Sequence, residues 1–190
     1  MSNAPNKVSL KGRFLVAGPK LRDRNFFKAV VLMLEHSGDG AMGLVVNRPS
    51  SLSVANALCG HLDLPDDGEP VFAGGPVEPA DLFLLHEDRG LDGQSVEVVD
   101  DLFVTTAAGA FEAILDNDGP PRARRILCGY AGWSAGQLEA ELATGDWLTV
   151  PATAEAVFDA DPYELWDELK EGFTSAHQII PNATAHPDWN

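Results

Sequence analysis

A chain of 190 residues, 45% of them hydrophobic, is long enough to bury one full core, and this composition argues against disorder of the whole. Its 13 lysines and arginines stand against 29 aspartates and glutamates, a net charge of −16, which disfavours direct binding to a DNA phosphate backbone. Cys59 and Cys128 are too few for a disulfide framework or a four-cysteine zinc site. No apolar leader opens the chain, and no uncharged apolar run reaches the roughly 18 residues of a membrane helix, so a cytoplasmic protein away from the membrane is expected.

Residues 1–7 are polar and are expected to be loose. Residues 14–17 (FLVA) predict a short strand, stopped by Gly18-Pro19. The run FKAVVLMLE, 27–35, is rich in β-branched residues and predicts a buried strand. Turn chemistry at Ser37-Gly38-Asp39-Gly40 pairs it with a second strand, 41–47, and Pro49 is expected to close that hairpin. Ser53 predicts the cap of a short helix, 54–58, ending near Gly60. An acidic loop, 63–69, leads into a strand at 71–73 and then Gly74-Gly75-Pro76. Residues 82–86 and 96–99 read as further strands. Thr105 or Thr106 caps a helix to about residue 116, with Phe111, Ile114 and Leu115 on one side, and 117–121 reads as a loop.

Residues 125–128 (RILC) predict a strand ending in a glycine-rich loop, Gly129-Tyr130-Ala131-Gly132-Trp133. Ser134 stands three residues before Gln137, the capping-box spacing, which predicts a helix from there to about residue 143. Leu138 and Leu142 share its buried face, and Gly145 ends it. A strand follows at 147–150. Asp161, Pro162 and Glu164 predict a last helix to about residue 171, burying Leu165, Trp166 and Leu169. Residues 173–190 are expected to lack regular structure. Hairpins alternating with isolated helices lack the strand–helix rhythm of a doubly wound sheet, so the expectation is one α+β domain over 1–190.

Four stretches keep a recognisable order and spacing. They are LKGRFLVAGPKL with RNFFKAVVLMLEH (10–36), GAMGLVVNRP (40–49), VFAGGPV with LFLLHE (71–87), and GYAGWSAGQLEAEL followed by DWL (129–148). Over about residues 10–158 the chain resembles the AlgH/YqgE family of bacterial proteins. The resemblance implies a strongly coiled, partly barrel-like mixed β-sheet flanked by helices. Members carry the labels uncharacterised protein or transcriptional regulator, the second from a genetic association with exopolysaccharide control. The family brings no agreed catalytic residue.

A candidate binding surface follows from the glycines. If Gly129–Trp133 feeds a helix start, free N–H groups there suit an anion, and Gly74-Gly75 makes a second backbone concavity. Together they would form a pocket with Tyr130 and Trp133 as walls, Pro76, Gly132 and Gln137 in its lining, and Arg48 supplying charge. The competing reading is that the glycines serve tight turns and close packing while Trp133 fills the core. No Lys-Ser or Lys-Thr pair follows either stretch, so neither is a phosphate loop.

Other residues carry paired readings. Arg48 can grip a phosphate or carboxylate, or pin its own loop. His36 and His86 end strands beside Glu35 and Glu87, types that ligate metals or move protons, but a strand-end histidine satisfied by a backbone partner is the plainer reading. Cys128, near Arg124, Arg125 and an expected helix start, is a reactive-thiol candidate against a small buried hydrophobe. Glu139 and Glu141 lie two apart and do not share a helix face, although Glu139 with Gln137 can wall a pocket. The arginines Arg122, Arg124 and Arg125, and the thinner group Lys20, Arg22 and Arg24, are a small footprint for nucleic acid. The expected function is a binding or regulatory module for a small anionic ligand or a protein partner, with no cofactor, metal or catalytic residue, and with any effect on transcription passing through that partner. The alternatives are an enzyme (a thiol-based redox protein using Cys128, or a small hydrolase) and a structural or assembly protein.

Overall fold

A computed structural model describes residues 9–89, 91, 93–115 and 123–178. The expectations for 1–7, for 117–121, for Arg122 and for 179–190 lie outside the described residues. The chain opens with β1 (Arg13–Ala17), one turn of 3-10 helix (Arg24–Phe26), β2 (Val30–Ser37), β3 (Gly40–Val45), β4 (Pro49–Ser53) and α1 (Val54–Ala57). Next come β5 (Pro70–Ala73), β6 (Val77–His86), β7 (Val96–Val99), β8 (Leu102–Thr105) and α2 (Ala108–Leu115). The last part holds β9 (Arg124–Ser134), α3 (Gln137–Thr144), β10 (Trp147–Pro151), α4 (Ala154–Phe158) and α5 (Leu165–Gln178).

All ten strands join one sheet, in the order β10-β1-β2-β3-β9-β6-β8-β7, with β4 and β5 branching off beside β9. Only the β5–β9 pairing is parallel; the rest are antiparallel. The sheet is coiled strongly enough that Gly12, just before β1, meets the carbonyl of Val98 on β7, at the far end of the strand order. This is the mixed α+β, half-barrel class that the resemblance implies.

Burial on both faces explains why several strands read as unbroken apolar runs. On β6 and β9 the side chains alternate between two cores. Leu85 and Leu127 join the larger one, and Leu84 and Ile126 join a second under α1 and α2. Helix α2 turns Phe111, Ile114 and Leu115 into that second core. Leu165 and Trp166 on α5 close the larger one, and the Trp166 indole N–H donates to the carbonyl of Ala17. None of the described helices is long and apolar enough to cross a membrane.

Several local expectations change. The strand expected from 27 starts at Val30, because Lys28 turns to a positive φ of 52° and Asn47 pins the corner. The Asn47 amide donates to the carbonyl of Lys28 and accepts the Val30 N–H. Pro49 opens β4 instead of closing a hairpin, which suits a proline at the first residue of a strand. A two-residue turn at Asp100-Asp101, with Asp101 at φ 61°, makes β8 the return arm of β7. Thr153 caps the unforeseen α4. Helix α5 runs on to Gln178, so its last turns occupy residues expected to be irregular.

Candidate functional site

The largest departure lies at the glycine-rich stretch. Gly129–Trp133 is not a loop feeding a helix but the middle of β9, which runs unbroken to Ser134. Its second half pairs with β3, and its first half lies between β5 on one edge and β6 on the other. Between Ala73, paired to Cys128, and Val77, paired to Tyr130, the chain therefore crosses over the β9 backbone within three residues. A Cβ on Gly75 would lie 2.1 Å from the carbonyl carbon of Tyr130, and one on Gly74 would lie 2.3 Å from the carbonyl oxygen of Gly129. Only glycine admits such an approach.

The two glycine stretches thus do meet, but as packed backbone. The Gly74 N–H donates to the carbonyl of Cys128, and the carbonyl of Gly74 accepts the Val45 N–H, both at 2.8 Å. Tyr130 sets its ring edge-on to Phe83, and Gly132 lies beside the Tyr130 ring. Pro76 is exposed just past the crossing. The helix start expected at Ser134 falls at Gln137, because Gly136 takes a left-handed φ of 76° as its N-cap. The donors of an anion-binding helix start are therefore absent from the Gly129 stretch.

Trp133 and Gln137 belong to a separate cluster. The Glu141 Oε2 accepts the indole N–H of Trp133 at 2.9 Å and of Trp147 at 2.8 Å, and its Oε1 accepts the Gln137 amide at 2.9 Å. The Gln137 Oε1 accepts the Ser134 N–H and hydroxyl. Phe26 stacks on Trp133 and meets Trp147 edge-on. The network fastens α3 to β9 and β10.

Arg48 lies elsewhere and faces inward. Its guanidinium donates to the carbonyls of Asn25 and Phe27, and burial pushes its pKa below the ordinary value while Asp23 pushes back. It ties the connection between β3 and β4 to the turn at Asn25 and Phe27. Arg125 is buried, donates to the carbonyl of Val46 at 2.6 Å, and lies 4.0 Å from the Phe72 ring. Burial pushes its pKa down to about 10.

Both histidines take a backbone donor. The His36 Nδ1 accepts the Leu10 N–H, which leaves the proton on Nε2, 3.5 Å from a Glu139 oxygen. The His86 Nδ1 accepts the Asp88 N–H, its Nε2 meets Ser95 Oγ at 2.8 Å, and its ring stacks on Phe103. Cys128 is half-buried in the interior of β9, nine residues before α3, so the helix start expected directly beyond it is not there. Cys59 is the exposed thiol.

Two open grooves were not legible in the sequence. A hairpin groove of about 800 Å³ lies between β2–β3 and β7–β8, over Met42, Phe83, Val98, Val104 and Trp133, with Lys11, Glu35 and Asp39 around it. Val96, 57% exposed, also lines it. A helix groove of about 820 Å³ lies between α1, α2 and β6, over Leu58, Leu62, Leu82 and Phe111, with Asp81 and Glu112 among its polar residues. Of the residues expected in the glycine pocket only Trp133 lines either groove, and of the histidine candidates His36 with Glu35 lines the hairpin groove. The one sequence signal was the bare apolar alternation of the strands that supply these floors.

Comparison with known proteins follows the same outline. The DUF179 family model, described as AlgH-like, matches residues 14–176. A UPF0301 protein of Rhizobium rhizogenes is 40% identical over 178 residues, covering 86% of this chain and 88% of its own. One from Chromobacterium violaceum is 44% identical over 162 residues, covering 83% and 86%. The solution structure of the AlgH protein from Pseudomonas aeruginosa is similar over 100% of both chains, with a TM-score of 0.72 and 34% identity. A crystal structure from Corynebacterium diphtheriae, 23% identical, shares the fold with a TM-score of 0.68 over 93% of this chain and 90% of that one.

Proposed function

The chain belongs to the AlgH-like family, and from the geometry above we propose that it is a binding module acting through a basic protein partner. The observation that carries this reading is the hairpin groove. Its floor is apolar and includes Trp133, and its surroundings hold two carboxylates, Glu35 and Asp39, against one ammonium, Lys11. Such a groove suits an apolar side chain flanked by lysine or arginine.

The rest of the charge supports it. Arg13, Lys20, Arg48 and Arg125 donate to backbone carbonyls, and Lys28, Arg89 and Arg124 pair with carboxylates. A surface at −16 with so many cations engaged internally steers basic partners in and repels nucleic acid. A small anion is the weaker candidate, since the glycine N–H at Gly74 and the Arg48 guanidinium already have acceptors. Any effect on transcription then passes through the bound protein.

The test is capture from a cell lysate on the immobilised chain, beside gel retardation of duplex DNA. Basic proteins retained at low salt, released by high salt and lost from a Glu35→Lys/Asp39→Lys double variant are the expected result. Sequence-selective DNA retardation at physiological salt, with no such proteins retained, would overturn it.

A further inference from the structure

The two grooves adjoin. The buried Phe83 and the exposed Thr106 line both, so the hairpin groove and the helix groove share a border at these residues. Each is the size of an ordinary ligand pocket, about 800 and 820 Å³, and each is floored by side chains of a buried core. Their net charge is negative. The two linings hold Glu35, Asp39, Asp81 and Glu112, and among the described residues Lys11 is their only lysine or arginine.

Resting on the reading just given, we propose that the grooves are two halves of one docking surface. Its occupant is an extended basic segment of a partner protein that crosses the Phe83–Thr106 border and seats one apolar side chain on each side. An extended chain places alternate side chains on one face, so two apolar anchors point down into the grooves. Lysines or arginines at the flanking positions of that same face then meet the four carboxylates. A compact anion finds only Lys11, and an acidic segment meets four like charges. Joining two weak anchors in one chain makes the second contact intramolecular, which raises affinity without any deeper pocket.

The probe is a fluorescein-labelled peptide whose alternate residues run Lys, Phe, Phe, Lys with serine between them, followed by fluorescence anisotropy against the full chain. Asp39→Lys in the hairpin groove and Glu112→Lys in the helix groove change exposed side chains, so the fold is kept. Each should weaken binding about tenfold, as reversal of a charge beside a docked segment does. Glu168→Lys, exposed on α5 and in neither lining, should leave binding unchanged. If Asp39→Lys acts and Glu112→Lys does not, the joint surface is wrong while the hairpin-groove reading stands. If neither acts, or the peptide does not bind, both fail. Equal weakening by all three variants would mean unspecific attraction to the acidic surface and would likewise overturn the docking site.

Discussion

His86 is neutral in the fold for a reason that sets a pH dependence. Its side chain is 1% exposed, and burial pushes its pKa below the ordinary 6.5, with Asp88 opposing. As pH falls, the unfolded chain takes up this proton first, so protonation favours unfolding. The contribution of His86 is complete above its unfolded pKa and is lost as pH drops from there towards the folded value. His86→Asn offers a side-chain oxygen to the Asp88 N–H and does not titrate. Melting curves between about pH 7.5 and pH 5.5 should therefore fall less steeply for this variant than for the parent. Equal slopes would assign the acid sensitivity to other groups. Arg125 differs: among the described residues no carboxylate acts on it, its pKa stays far above neutrality, and a carbonyl and a ring face hold its charge.

At the scale of elements, the crossing over β9 ties β5, β6 and β9 into one unit. Gly75→Ala should cost more than about 3 kcal/mol in urea denaturation or prevent folding, because the added carbon meets backbone that cannot move aside. Gly38→Ala, with nothing within 4 Å, should stay within about 0.5 kcal/mol. The same crossing shows where sequence reading stops. The β2–β3 hairpin and the α1 cap were legible because Gly38-Asp39 and Ser53 act on their immediate neighbours. Gly129 and Gly132 looked like a loop because glycine usually marks a turn. The demand on Gly129 comes instead from Gly75, far away in the chain. The capping-box signal was half right: Gln137 does reach back to Ser134, but Gly136 delays the helix. The grooves left no local motif, since their linings are gathered from six strands and two helices scattered along the chain.

The whole molecule is organised by its charge. With −16 on 190 residues, the folded state works against its own repulsion, and salt should relieve it. Raising sodium chloride to about 0.5 M should raise Tm by a few degrees, since screening acts within a few ångströms at that strength. A Tm that falls instead would mean that the internal ion pairs, Lys28–Asp167 and Arg124–Glu69 among them, outweigh the repulsion. The placement of β9 has a further consequence, for the order in which the chain matures. Phe72 must find Leu127, and β3 and β6 must wait for the same strand. As the chain leaves the ribosome, three partners stand with bare edges until residues 124–134 emerge, and nothing made earlier can substitute. Folding is then slow, its decisive step is the closure of long loops, and a nascent chain stopped before residue 124 is a substrate for chaperones.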